Sequence, residues 1–437
     1  MVEKVVNPDW SHKKLNELGF VGRGKSRHRP RNDTSLYEGA YPFIQTGDIK
    51  AANFYISEYS QTYNEKGLSQ SKLWEPNTLC ITIVANIAET AILKIKACFP
   101  DSIVGFIADQ KEADVRFIKY YIDTIKLSMQ NVSKGTTQDN LSLDKLLTFD
   151  FLIPTLPTQR KIATILSAYD NLIENNMRRI KILEEIAQAL YREWFVEFRF
   201  PGHETMKMVE SELGMVPEGW EVKVLGELLK HHIGGGWGEE KENNNFSLEA
   251  YVIRGKDIPF ARYVSIKNCP LRYHKESNLK SRRLEDKDIV FEVSGGSKGQ
   301  PVGRALLISQ KLLDAFNKDV ICASFCKLLR INNEIIIPEI IHLHLLEIYE
   351  NGNIEKYQTQ STGIINFKFS YFIEKELIVI PEKDLQIKFD KIICPIFNMI
   401  QSFGLSNANL LLTRDFLLPK LISGEGTYPA STFSQEN

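Results

Sequence analysis

Between residues 162 and 194 the apolar positions step alternately by four and three along the chain. In "IATILSAYDNLIENNMRRIKILEEIAQALYREW" the series is Ile162, Leu166, Tyr169, Ile173, Asn176, Ile180, Leu183, Ala187, Leu190 and Trp194. A stripe with a mean spacing of about 3.5 is a heptad seam, so this segment is predicted to be a helix packed along its length on a second helix. One seam position is asparagine, which on a buried seam fixes register at some cost in stability. The pattern elsewhere is mixed. Short apolar runs bounded by turns predict strands at "NTLCITIVAN" (77–86), "SIVGFIA" (102–108), "DIVFEVS" (288–294) and "DVICASFCKLL" (319–329). Amphipathic spacing at 113–129 and 338–352 predicts one helix in each half.

The chain repeats itself. "PDWSHKKLNELGFVGRG" (8–24) aligns with "EGWEVKVLGELLKHHIG" (218–234) at an offset of 210, so that Trp10 meets Trp220 and Leu15 meets Leu225. At the same offset "NTLCITI" (77–83) meets "KDIVFEV" (287–293). One residue out of that register, "IQTGDI" (44–49) echoes "IRGKDI" (253–258). "KGTTQDNLSLDKLLTFDFLIP" (134–154) resembles "QSTGIINFKFSYFIEKELIVIP" (360–381). A collinear duplication predicts two copies of one supersecondary plan.

The duplication supplies the missing partner of the seam. Pro154 aligns with Pro381 and Gln159 with Gln386, which carries the seam onto Phe389, Ile393, Ile396, Ile400, Phe403, Asn407, Leu410, Arg414, Leu417 and Leu421. The second half is therefore predicted to end in a matching helix, with the coil intramolecular and antiparallel. Pro395 is expected to bend that helix or break its first turns, and Gly404 to weaken its middle. A helix of about 38 residues would run roughly 57 Å. Each half then reads as a mixed α/β globule of about 150 residues followed by a long helix.

Bulk composition narrows the classes further. The 437 residues are 43% hydrophobic and 25% charged, with a formal net charge of −1, so there is no global basic field and any nucleic-acid site must be locally charged. Six cysteines lack paired spacing; Cys322 and Cys326 fall in an apolar run and read as buried thiols. No signal peptide or membrane span is read in the sequence, and a cytoplasmic location is expected.

Catalytic motifs do not survive their context. "NPDW" (7–10) and "FVGRG" (20–24) resemble the amine-gripping and methyl-donor motifs of amino-methyltransferases, but the order is reversed and the two lie too close together. "SGGSKGQ" (294–300) lacks phosphate-loop spacing and reads, like "GGGWG" (234–238), as a mobile loop. His342 and His344 lie two apart on a helical stretch, which points them to different faces. What remains is local positive charge. Arg23, Lys25, Arg27, Arg29 and Arg31 crowd one segment of the first half, and Arg254, Lys256, Arg272, Lys275, Lys280, Arg282 and Arg283 recur in the second. Clusters in both halves suit a duplicated DNA-binding module.

Three stretches carry a resemblance that spans essentially the whole chain. "IPTLPTQRKIATILSAYDNLIE" (153–174), "ELGMVPEGWEVKVLGEL" (212–228) and "LLLTRDFLLPKLISGEG" (410–426) are similar to the specificity subunit of type I restriction–modification systems. The resemblance implies an α/β (α+β) fold with two tandem pseudo-symmetric target-recognition domains separated by two long helices in an intramolecular antiparallel coiled coil. The implied division is recognition domains at 1–156 and 201–382, spacer helices at 157–200 and 383–424, and a flexible tail at 425–437. It also implies that the chain is not an enzyme. Each domain would read one half of a bipartite double-stranded DNA site, while the coil sets the half-site spacing and docks two methyltransferase subunits, with two restriction subunits as an optional addition. No cofactor is expected on this chain; S-adenosylmethionine, ATP and Mg would belong to the partners.

Under that resemblance, polarity and repeat position select Gln45, Thr46, Thr136, Thr137 and Gln138 as candidate DNA contacts in the first half, and Arg254, Lys256, Lys298, Gln358 and Thr359 in the second. Two other classes stay open at this point. A single-chain restriction–modification enzyme with its own methyltransferase activity predicts methyl-donor binding by the isolated chain. A scaffold without a DNA role predicts no salt-dependent duplex binding.

Overall fold

The computed structural model describes residues 9–133, 141–296, 300–361 and 364–424, and the chain divides into two compact units, Met1–Glu174 with Asn409–Asn437, and Asn175–Ala408. In the first unit a five-stranded sheet runs in the order Gly19–Arg23, Ile103–Ala108, Leu79–Thr82, Thr90–Leu93, Tyr55–Ile56. Its neighbours are antiparallel except the last pair, which is parallel. Leu79 and Ile81 face the helix Val115–Ser133 in a cluster with Phe117 and Ile118, whereas Cys80, between them, joins Trp74 and Phe99 on the other face. Side chains alternate along a strand, so a strand covered on both faces is apolar at every position. A second sheet, ordered Gln61–Tyr63, Tyr37–Phe43, Ala97–Cys98, Leu73–Trp74, completes this unit's β structure together with the pair Ser11–Lys13 and Phe151–Ile153.

The second unit repeats the plan with one strand fewer in each main sheet. Leu229–Gly234, Cys326–Ile331, Ile289–Glu292 and Ala305–Leu307 form a sheet in that order, and Leu271–His274, Leu248–Ile253 and Asp319–Cys322 form the second. Ile289 and Phe291 pack with Ile340 and Ile341 of the helix Pro338–Glu350, while Val290 faces the other way with Val320 and Leu328. The register repeats as well. Phe43 pairs with Cys98 in parallel in the first unit, and Ile253 with Cys322 in parallel in the second. The aligned glutamines explain how both long helices begin. Gln159 accepts from the Asp114 backbone and donates to the carbonyls of Glu112 and Pro154; Gln386 accepts from Ile337 and donates to Ile335 and Pro381. Each glutamine is 1% exposed, so an amide at the helix start satisfies three buried backbone groups.

The central helix spans Leu156–Tyr191 and passes into one wide π turn, Arg192–Val196, that buries both Trp194 and Phe195. The second long helix spans Lys383–Ile422. Within the first unit Ile162 and Leu166 share a core with Leu417, Leu421 and Ile422, and Asp170 meets Arg414. Within the second, Asn176 meets Asn407 and the Trp194 ring lies 5.4 Å from that of Phe389. Residue numbers rise on one helix as they fall on the other, so the two strands are antiparallel in each unit. All seam positions are buried or half-buried: Ile162, Leu166, Ile173, Asn176, Ile180, Ala187, Trp194, Phe389, Ile393, Ile396, Ile400 and Asn407 are buried, and Tyr169, Leu183, Leu190, Phe403, Leu410, Arg414, Leu417 and Leu421 are half-buried.

Three expectations need correction. The second long helix is not broken at Pro395, because Pro395 and Lys391 face solvent while Ile393 and Ile396 anchor the turn in the core. The Lys391 carbonyl that proline leaves without an amide partner can then meet water. Gly404 is a packing requirement rather than only a weak point, since a Cβ there would lie 2.3 Å from the Tyr263 carbonyl oxygen. "DVICASFCKLL" is two strands in two sheets rather than one, turned by a hydrogen bond from Cys326 N to Ala323 O that leaves Phe325 exposed. Cys322 and Cys326 are buried free thiols. The tail 425–437 lies outside the described residues.

Candidate nucleic-acid interface

A loop leaves the equivalent strand of each unit from the same anchor. In the first unit Gly24 N donates to Ile103 O (2.8 Å) and Lys25 N to Phe99 O (2.9 Å). In the second, Gly235 N donates to Cys326 O (2.9 Å) and Gly236 N to Cys322 O (2.9 Å). The glycine is required by close approach. A Cβ on Gly24 would lie 2.3 Å from Pro100 O, and one on Gly235 2.2 Å from both Cys322 O and Ala323 O. The run "GGGWG" is therefore tied down at its start, not a mobile loop throughout.

In the first unit this loop carries the arginines. Arg31 pairs with Asp101 at 2.6 Å, Arg29 approaches the same carboxylate at 4.0 Å, and Arg23 donates to the Asp101 carbonyl at 3.1 Å. One aspartate thus gathers three guanidinium groups, which leaves a local excess of positive charge. Arg27 is exposed and Lys25 half-buried beside it. His28 pairs with Asp33 at 2.6 Å, and hydrogen bonds from Ser35 hold the Asp33 carboxyl down at about 2. Arg31, Gln45 and Thr46 line one cleft of about 510 Å³ together with Asn32, Thr34 and Gln61. Arg31, with Glu38 across the same cleft, stands beside several amide and hydroxyl groups, and the arginines of the loop next to it have the chemistry to grip phosphates while the amides and hydroxyls address base edges. Asn32, Thr34 and Gln61 were not among the sequence candidates; Gln61 is revealed only by strand pairing. Thr136, Thr137, Gln138 and, in the second half, Lys298 lie outside the described residues.

The second unit divides its candidates differently. Arg254 turns back onto Asp257, at 2.7 and 3.0 Å, and onto the Asn268 carbonyl; the hydrogen-bonded Asp257 pushes its pKa further up. That guanidinium closes a turn, whereas neighbouring Lys256 is exposed. Arg282 donates to Gly234 O at 2.9 Å and so braces the glycine loop. Arg272 lies 4.6 Å over the Trp237 ring and pairs with Glu240 at 2.8 Å. Lys275 lies 5.0 Å over the Phe246 ring, and Lys280 is exposed on the same short helix, Glu276–Arg282, that carries Arg282. Arg283 reaches Asp319 at 3.7 Å. Gln358 donates to Val302 O at 2.9 Å and Thr359 to Asn366 O at 3.4 Å, in a separate small sheet with Ser294–Gly296 and Ile364–Phe367. Arg272, Lys275 and Arg282 are thus brought to the glycine loop, while Arg254 is held by its own turn. Trp237 and Phe246 escaped the sequence reading, although an aromatic flanked by glycines was a visible signal.

Two units of one plan, each presenting a loop from the same glycine anchor with cations on it or beside it, define a duplicated recognition protein. Comparison with known proteins shows what the chain is similar to. Residues 7–185 match the type I restriction modification DNA specificity domain. The chain is 29% identical over 434 residues to the type I restriction enzyme MjaIX specificity subunit of Methanocaldococcus jannaschii, covering 95% of this chain and 93% of that one. It is 24% identical to the type I restriction enzyme HindI specificity subunit of Haemophilus influenzae, over 95% and 99% of the two chains. The crystal structure of a type I restriction–modification S subunit from M. genitalium shares the fold, with a TM-score of 0.56 at 14% identity over 99% of both chains. Over nearly its whole length the chain is similar to the specificity subunits of type I restriction–modification systems, and the family model itself matches within the first half.

Proposed function

We propose that this chain is the non-catalytic reader of its complex: each unit recognises one half of a bipartite duplex site, and the helical pair fixes the spacing between halves. The observation that carries this reading is the shared loop anchor, Gly24 in one unit and Gly235 in the other, from which two chemically different loops depart. One scaffold bearing two different reading surfaces suits an asymmetric site. Arginine and lysine side chains hold phosphates, which sets register; Gln45, Thr46 and Gln61 in the first cleft meet base edges. Two methyltransferase subunits dock on the chain and two restriction subunits can add to them. Methyl transfer and cleavage belong to those subunits, with their S-adenosylmethionine, ATP and Mg, in the cytoplasm. Among the described residues no helix is long and apolar enough to cross a membrane.

The test is co-expression with the methyltransferase partners, followed by mapping of methylated bases across the host genome. A bipartite, non-palindromic motif with a fixed spacer is expected. Methyl transfer by the isolated chain, or a continuous motif, would overturn the reading.

A further inference from the structure

We infer that Trp237 is a stacking residue for a nucleobase of the second half-site, so that the two halves of the DNA are read by different chemistry. The inference rests on the function proposed above and goes beyond it by naming how one half is read. It starts from the equivalence of the two loops. After the common anchor the first loop continues "KSRHRPRND" (25–33), in which Arg29 and Arg31 converge on Asp101; the second continues "GWGEEKENNNFS" (236–247), with acids, three asparagines and two aromatics. The anchor is the same and the chemistry is not.

Trp237 lies 39% exposed on this loop, directly after the tethered residues Gly235 and Gly236. A large aromatic left half in water loses the apolar burial that would stabilise it in a core. Its ring is capped by the Arg272 guanidinium at 4.6 Å, and Arg272 is itself steered by Glu240 at 2.8 Å. The arrangement recurs a few residues on, where Lys275 lies 5.0 Å over Phe246. The Arg272 side chain is only 13% exposed and its Nε has no hydrogen-bond partner, so the guanidinium is held against the ring rather than satisfied elsewhere along that edge. Arg282 braces the base of the loop through Gly234 O. The result is an aromatic surface on a tethered loop, backed by cations drawn from one strand and one short helix. In a duplex the π face of a base is reached by a side chain wedged into a base step or by a base swung out of the stack, and an aromatic ring with adjacent guanidinium groups can meet that face and the neighbouring phosphates together. A ring that only capped Arg272 would need neither the tethered glycines nor the second cation–aromatic pair.

The experiment uses the full chain assembled with its methyltransferase partners and a duplex carrying the mapped site, with 2-aminopurine placed at each adenine of the second half in turn. Trp237→Ala is expected to weaken cognate binding by about five- to a hundredfold, the range of one lost base–aromatic stack. It should also abolish the fluorescence change at one position of the second half-site while leaving the first half unchanged. Trp237→Phe should retain most of the affinity. Should Trp237→Ala lower the melting temperature, Trp237→Leu restores apolar bulk without the π face, and its binding should stay weak. Wild-type affinity and an unchanged 2-aminopurine signal in either the Ala or the Leu variant overturn the inference. A wild-type complex that binds no bipartite duplex overturns the proposed function instead, so the two failures are distinct.

Discussion

Arg414, at a seam position where an apolar residue is expected, lays its guanidinium against the Asp170 carboxylate on the facing helix. Asp170 also accepts a hydrogen bond from the Tyr120 hydroxyl of the first unit's long helix, Val115–Ser133. The Asp170 side chain is 2% exposed, and its charge is compensated by these neighbours. Removing one partner of a buried pair typically costs about 3–5 kcal/mol, because the other charge is left stranded. Arg414→Leu should therefore lower the unfolding midpoint in guanidinium chloride by an amount of that order. Arg414→Leu combined with Asp170→Asn should recover much of the loss. Equal stability of the single and double variants would contradict a stranded charge.

The asparagine pair behaves differently. Asn176 donates to Asn407 Oδ1 at 2.8 Å in a buried position, and Asn407 Nδ2 has no partner. Asn176→Leu alone strands the remaining amide and should cost about 1–3 kcal/mol. Replacing both by leucine should stabilise the helix pair, since a matched apolar contact replaces an incompletely satisfied polar one. Register should loosen in exchange: methylation mapping of the double variant should reveal sites with altered spacers. A double variant no more stable than the single one would contradict this account.

Phosphate contact by the arginine loop is tested through salt. Charge reversal at Arg27, Arg29 and Arg31 should weaken binding of any duplex and flatten the dependence of log affinity on log salt, by roughly 0.9 for each phosphate the loop no longer neutralises. Asp101→Asn should act in the opposite direction, because it removes the carboxylate that Arg29 and Arg31 share. An unchanged slope in both variants would take this loop out of the interface.

Acid sensitivity should trace in part to His342. Burial, with a smaller contribution from Arg262, pushes its imidazole from 6.5 down to about 3. Between those values the unfolded chain binds a proton that the folded chain refuses. Its contribution to stability is therefore complete above pH 6.5 and is lost as pH falls toward 3. The loss should be about 2 kcal/mol by pH 5, at roughly 1.4 kcal/mol per pH unit. His342→Leu should flatten the fall in melting temperature between pH 7 and 5. His274, also pushed down by burial, should keep it from vanishing. An identical pH profile in wild type and variant would exclude His342 as a source.

Much of this architecture is legible in the chain because its signals are local and repeated. A heptad seam needs only apolar residues at alternating intervals, and duplication doubles every signal, so the second helix could be located from the prolines and glutamines that begin the first. The Gln159 and Gln386 clamps act on backbone groups at matching places in each copy, which is why they align. Cation clusters are visible for the same reason. Which cations remain available is not visible, because that depends on neighbours far along the chain. Asp101 gathers Arg29 and Arg31 from some seventy residues away, while Arg254 is captured by Asp257 within its own turn. Local rules mislead at Pro395 and Gly404, since solvent exposure on one side and the Tyr263 carbonyl on the other are facts of packing. Trp237 becomes conspicuous only when the fold places its loop on the anchor that carries the arginines in the other half, because equivalence of position is a property of the tertiary structure.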